Sequence, residues 1–346
     1  MKIRNIFLRF GRKILSFLPS GIVLMYHRVC DDDFDPYGIC VSQKNFLEHL
    51  KILKENFDII PVRLVPEYVK RKFVGKKKFI AITFDDGYSD NIKAFEILDY
   101  MKIHATLFVI TGHLLDKNSK DTIKRILWWE RLKGLFSKDF KKLILKIRDK
   151  EISFIVENHL SNLKVQVKKR SFEAGKHIIR KNELFSYLYT ELKYTREDQR
   201  ERILCSIEDQ IGAVSLDQDI LLSERDIESV GKSGFSVGAH TETHQPLSVL
   251  SEDEQRKEIT LSKHKLENIL KKDVLEFSYP FGLQSDFSDL SIKIVKEAGL
   301  EIACTGVKRG VLPFMVDRYA IPRFNVMNWN SQEFEHKIRE FFNLVI

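Results

Sequence analysis

Polar and apolar positions along this chain follow two alternating rhythms. Ile22 to Tyr26 (IVLMY) is a continuous apolar run ending at His27, the pattern of a strand covered on both faces. Ser42 then precedes a stripe of Phe46, Leu50, Leu53 and Phe57 at helical spacing, which predicts an N-capped helix. Residues 59–62 read as a short strand and Phe79 to Phe84 (FIAITF) as a stronger one. A helix from about Asp90 turns Ile92, Phe95 and Leu98 inward, and a strand follows at Ala105 to Ile110. Beyond these come a strand at Phe235 to Ala239, a long helix over Ser251 to Lys271 and a strand at Val274 to Ser278. A helix over Ser288 to Ala298 stops at Gly299; short apolar runs around Ile302 and at Tyr319 to Ile321 precede a last helix near Gln332 to Leu344.

Strands that alternate with helices this regularly are parallel, joined by crossover helices. A barrel and an open doubly wound sheet both satisfy the pattern. No glycine-rich phosphate loop follows any strand, which favours the barrel, with chemistry at the C-terminal strand ends. The expected class is therefore α/β, a distorted (β/α) barrel over residues 20–114 and 223–346. Residues 115–222 break the rhythm: they lack proline and scatter Leu, Ile and Phe among charges, so they read as an inserted set of helices.

Composition sharpens this picture in three places. The 346 residues allow one large domain with an insertion at roughly 150 residues per domain, and 43% hydrophobic residues exclude a disordered chain. The net charge of +8 is too small to argue for nucleic acid, and no nucleic-acid partner is expected. Its distribution says more: Lys2, Arg4, Arg9, Arg12 and Lys13 carry no acidic counterpart, while Ile3, Ile6, Phe7, Phe10, Ile14, Phe17 and Leu18 form a helical stripe. Residues 1–19 thus read as a basic amphipathic helix, either lying on an anionic membrane surface or packed on the protein's own core. The four cysteines do not form a disulfide scaffold; Cys30 and Cys40 are read as thiols, a bridge between them being the alternative in an oxidising compartment.

The candidate chemistry sits where strands end. FIAITF runs into Asp85-Asp86-Gly87, two carboxylates that repel unless a cation or base chemistry separates their roles; the bland reading is an Asx-capped turn. After the strand FSVGA come His240 and His244, four apart in HTETH. With a carboxylate from another strand end they complete a three-ligand set for zinc or a similar divalent ion. A third strand ends in Ser278-Tyr279-Pro280-Phe281-Gly282, an aromatic turn that either seals a barrel mouth or walls a sugar groove. Trp128-Trp129 at the start of the insertion are read as anchors rather than sugar-stacking residues.

TFDDGY at Thr83 to Tyr88, HTETH at His240 to His244 and YPFG at Tyr279 to Gly282 together resemble the polysaccharide deacetylase family, carbohydrate esterase family four with its NodB-homology domain. The resemblance spans about residues 21–114 and 223–326. It implies a barrel commonly of seven strands and metal-dependent removal of N-acetyl groups from amino sugars. On this resemblance Asp86, His240 and His244 match the metal ligands and Asp85 the general base that activates the attacking water. The Phe281 N–H matches the donor to the tetrahedral oxyanion, with Tyr279 supporting the same turn.

Two departures follow. The C-terminal Leu-x-His acid motif of many members is absent, whereas His27 in LMYHRV matches the N-terminal acid of a branch acting on exopolysaccharide; His27 is taken as the general acid. Ser278 stands where many members carry an arginine that pairs with the catalytic aspartate, and Asp317, Arg318 and Arg323 in MVDRYAIPRF are candidates to replace that charge pair. The expected activity is hydrolysis of an N-acetyl group, with zinc, on a polysaccharide or lipid-linked glycan at the cytoplasmic face of a membrane. The alternatives are a secreted or periplasmic exopolysaccharide or peptidoglycan deacetylase and a non-catalytic glycan-binding protein.

Overall fold

Continuous apolar runs in this chain become strands with no exposed face. GIVLMY and FIAITF are buried at every position, as parallel strands covered by crossover helices must be. The computed structural model describes residues 21–70, 78–112, 114, 127–147, 150–157, 173–215, 220–312 and 316–343. The amphipathic helix expected over 1–19 lies outside the described residues. The chain divides into two units. One runs to Asp32, resumes over Ile39–Leu114 and continues from Leu221; the other comprises Asp33–Gly38 and Leu115–Ile220.

In chain order the first unit carries β1 (Gly21–Tyr26), β2 (Arg28–Val29), β3 (Cys40–Val41), β4 (Asp58–Ile59), β5 (Phe79–Phe84) and β6 (Thr106–Val109). The second unit supplies β7 (Lys142–Ile147), β8 (Lys150–Glu157) and β9 (Gly175–Arg180). The first then resumes with β10 (Ser236–Ala239), β11 (Glu276–Ser278), β12 (Ile302–Cys304) and β13 (Phe324–Asn325).

The main sheet has the order β12-β11-β10-β6-β5-β1-β13, with β4 beside the start of β5, and every pairing in it is parallel. It is the expected distorted (β/α) barrel, a curled seven-strand path closed only part of the way round. Ile321 bridges to Cys304 and Phe324 pairs with Leu24, so residues 321–324 pass from the β12 edge to the β1 edge. Helices pack outside. Ser42 caps Gln43–Asn56 by accepting from the Asn45 N–H, and Phe46, Leu50 and Leu53 face the core. Ser251 and Ser288 form capping boxes at the Glu252–Leu270 and Asp289–Glu297 helices.

Three expectations are corrected. The strand over 59–62 is only Asp58–Ile59, because Pro61 brings no N–H to a ladder and a 3₁₀ turn starts at Val62. Tyr319–Ile321 is a turn with a single bridge, and the strand begins later, at Phe324. The insertion is not wholly helical: β7, β8 and β9 form a sheet of their own beside the helices Trp128–Ser137, Lys181–Lys193 and Glu197–Ile211. KLILKI in β7 alternates exposed and buried residues at period two, which a helical reading of scattered apolar residues overlooks. Trp128 and Trp129 are buried in this second unit, Trp128 stacked on Tyr189 and beneath the Arg200 guanidinium, so neither offers a face to a sugar.

Candidate active site

Parallel pairing brings the C-terminal ends of the central strands to one edge. Tyr26 is in register with Phe84, and Ala239 with both Val109 and Phe277. The residues that follow those positions, His27, Asp85, Asp86, His240 and Tyr279, therefore leave the sheet on the same side.

Three of them converge. Asp86 Oδ1 lies 3.5 Å from His240 Nε2 and 3.4 Å from His244 Nε2, and the two Nε2 atoms are 3.2 Å apart. All three side chains are buried. His240 Nδ1 donates to the Ser278 carbonyl at 2.7 Å; since a carbonyl only accepts, this hydrogen bond turns the lone pair of Nε2 inward. Asp86 Oδ1 is itself buried without a hydrogen-bond partner. A buried carboxylate oxygen directed at two imidazole nitrogens and satisfied by no donor fits a divalent cation, and the N₂O donor set suits zinc. Burial would strip a proton from His240, but Asp85 and Asp86 beside it outweigh that and raise its pKa.

The backbone at these positions is unusual. Among the described residues, six non-glycine residues have positive φ, and four of them belong to the motifs: Asp86 (74°), Thr241 (64°), His244 (57°) and Phe281 (58°). The other two, Lys102 and Lys271, end helices, where this conformation is common. Strain gathered at one edge needs support, and the HTETH turn has it. The Glu258 carboxylate accepts from the Glu242 and Thr243 N–H groups at 2.9 and 2.8 Å and from the Thr243 hydroxyl at 2.6 Å. Thr241 Oγ1 accepts from the His244 N–H, and Thr111 donates to the Glu242 carboxylate. Gly112 lies so close that a Cβ there would meet the Glu242 carbonyl oxygen at 2.3 Å.

Asp85 is held separately. Arg323 donates from Nη1 to Oδ1 at 2.7 Å and from Nη2 to Oδ2 at 2.6 Å, and the Ser278 hydroxyl adds a bond to Oδ2. The same guanidinium donates to Ser278 Oγ, Thr83 Oγ1 and the Thr305 carbonyl. Burial would push the Asp85 carboxyl up, but the Arg323 charge, then His240 and the Arg323 hydrogen bonds, hold it at about 2. His27 lies beside Asp85 at the adjoining strand end and adds to the field that lowers it. Its carbonyl accepts from Asn91 Nδ2, and its Nδ1 is buried without a partner.

Arg323 thus takes the place of the arginine absent at position 278, and the small Ser278 leaves room for it. Asp317 and Arg318 do not join it. Asp317 accepts from the Tyr319 N–H within its own turn, and Arg318 pairs with Glu67. Tyr279 is corrected too: it is buried, stacked on Phe287, and its hydroxyl donates to the Tyr319 carbonyl, so it braces the link rather than lining a groove. The Phe281 ring packs against His244 with centroids 4.6 Å apart. Glu258, Thr111 and Thr83 carry no motif signal; only a carboxylate 16 residues after Glu242, at the phase of a helix facing the turn, hints at Glu258.

A family model described as polysaccharide deacetylase matches residues 73–184 and 205–303. No curated protein matches the chain. Among solved structures, a polysaccharide deacetylase from Bacillus cereus is similar at a TM-score of 0.54 with 19% identity, over 92% of this chain and 69% of that one. The Streptococcus pyogenes deacetylase PplD, solved with acetate, gives a TM-score of 0.53 with 15% identity, over 92% and 97%. IcaB from Ammonifex degensii gives 0.50 with 15% identity, over 94% and 97%. At these identities the likeness is one of fold.

Proposed function

Since the chain belongs to the polysaccharide deacetylase family and is a hydrolase of that class, we propose that it removes the acetyl group from an N-acetylated amino sugar, using a divalent cation. The observation that carries this reading is Asp86 Oδ1, buried and without a hydrogen-bond donor between two histidine nitrogens, next to an aspartate held ionised. Asp86, His240 and His244 would hold the cation, with zinc the expected metal. Bound there, it supplies Lewis-acid polarisation and acidifies water.

The chain's own residues then divide the work. Asp85 accepts the proton of the attacking water as the new C–O bond forms. A carboxyl this acidic does not retain that proton, so the base is restored within each turnover. The Phe281 backbone N–H donates to the oxygen that gains charge. His27, at the adjoining strand end, gives a proton to the departing nitrogen as the C–N bond breaks, and acetate and a free amine leave. Arg323 keeps both oxygens of Asp85 in one orientation throughout.

For the substrate, the basic residues 1–19 favour a lipid-linked glycan reached from the cytoplasmic face of a membrane. The deciding experiment measures acetate release from a panel of N-acetylated glycans and lipid-linked sugars, after chelation and after adding metal back. Release that needs the metal supports the reading; glycan binding without release by metal-loaded protein overturns it. Binding to anionic vesicles that survives deletion of residues 1–19 would sink the membrane assignment.

A further inference from the structure

The HTETH and DDG residues are not the only side chains with metal-ligand chemistry that this fold assembles. Just after His27 the chain forms β2, makes an excursion and returns as β3, pairing Arg28 with Cys40 and Val29 with Val41. The excursion, Asp33–Gly38, belongs with the second unit, so Cys30 and Asp32 stand where the chain leaves the first unit and Cys40 where it has returned. The Cys30 and Cys40 sulfurs and an Asp32 carboxylate oxygen lie within 4.8 Å of one another. We propose that Cys30, Asp32 and Cys40 bind a thiophilic divalent cation, zinc being the natural occupant, in a site that shares no residue with the deacetylase centre.

Geometry, donor chemistry and charge each support this. Zinc–sulfur and zinc–oxygen bonds of about 2.3 and 2.0 Å at tetrahedral angles put neighbouring ligands roughly 3.5–3.8 Å apart. Cys40 Sγ and Asp32 Oδ2 are 3.7 Å apart. The cysteines flank a parallel strand pair whose Val29 and Val41 are fully buried, so the scaffold holds them near one another without the ion. Cys40 is buried while Cys30 and Asp32 are part-exposed, which leaves a side open for water as a further ligand. Two thiolates select zinc or another soft ion over magnesium or calcium. Binding displaces the two thiol protons to solvent.

Two thiolates and one carboxylate around a doubly charged ion leave one negative charge. Arg28 balances it: Nη1 lies 3.7 Å from Asp32 Oδ2, while Nε donates to Asp90 at 2.8 Å and fixes the guanidinium in place. The carboxylate also argues against a redox pair. Beside Cys40 it disfavours the thiolate that disulfide exchange needs, whereas a cation uses it as a ligand. The ion would tie the departing and returning strands together at the foot of the excursion.

Cobalt(II) titration of the reduced, metal-free, full-length protein tests the site, because only a thiolate ligand produces a sulfur-to-cobalt charge-transfer band in the near ultraviolet. The expected band saturates at one equivalent and is bleached by zinc. It is lost in Cys30→Ser and in Cys40→Ser. It is kept in Cys205→Ser, which removes an exposed thiol, and in Asp86→Asn, which disables the other site. Absence of the band in folded wild-type protein overturns the proposal without recourse to any variant, as does a band that survives both cysteine substitutions. So does recovery of a Cys30–Cys40 disulfide from protein that binds no cobalt after reduction.

Discussion

Arg323 grips Asp85 with two parallel hydrogen bonds, Nη1 to Oδ1 at 2.7 Å and Nη2 to Oδ2 at 2.6 Å, across 238 residues of sequence. A fork–fork pair of this kind fixes the plane of the carboxylate as well as its charge. The two contributions are separable by substitution.

Arg323→Lys keeps the charge and loses the fork. Asp85 should stay ionised but misoriented, and kcat should fall on the order of 100-fold with the acid limb of the pH profile unmoved. Arg323→Gln removes the charge, leaving burial unopposed, so the Asp85 carboxyl rises from about 2 and the acid limb moves to higher pH. Steady-state kcat/KM from pH 4 to 9 for both variants checks this. Identical pH profiles would show that the charge is not what holds Asp85 ionised.

Glu258 touches no ligand atom, yet its carboxylate gathers three donors of the turn that carries His240 and His244. Glu258→Gln replaces one acceptor oxygen by an NH₂ group and should weaken metal binding roughly 10–100-fold, as loss of an outer support does. Competition with a chelating dye measures it. Excess metal should restore most of the activity, which would not follow if the variant had lost its fold.

If His27 protonates the leaving nitrogen, His27→Ala should cost about 10²–10⁴ in kcat on a sugar acetamide. On an activated acetyl ester, whose leaving group needs no proton, the loss should be small. An equal loss on both substrates would remove His27 from that role.

His49 offers a pH effect remote from the site. Its ring is buried between Tyr26 and Trp329, stacked on Phe334, and burial lowers its pKa to about 4. The unfolded chain takes up this proton near pH 6.5 and the folded chain only near 4. Stability should therefore fall as pH drops from 6.5 to 4, by roughly 3 kcal/mol from this group, and no further below that. Urea unfolding across this range should show a shallower slope for His49→Gln than for wild type.

The sequence makes the metal donors legible for a physical reason. Asp86, His240 and His244 follow apolar strands directly, so strand identification alone sets their side of the sheet. Arg323 is legible only as one of three candidates. Asp317, Arg318 and Arg323 share one link, and which of them reaches Asp85 depends on where that link crosses from β12 to β1. Glu258 is hidden among the many charged residues of its helix, because its role depends on helix phase against a loop. The inserted sheet is missed because Leu143, Leu145 and Ile147, spaced by lysines, satisfy a strand as well as part of a helical stripe.

The left-handed backbone at Asp86, Thr241, His244 and Phe281 carries a consequence for selection. Each such residue costs on the order of 1 kcal/mol, and glycine would relieve it. A screen for heat resistance alone, blind to turnover, should therefore enrich Thr241→Gly and Phe281→Gly. The same changes would cost the hydroxyl that receives the His244 N–H and the ring packed on His244. Higher melting temperature together with slower turnover in those two variants would mark this edge as a place where natural selection has accepted fragility, so thermostabilisation should be sought on the outer helices.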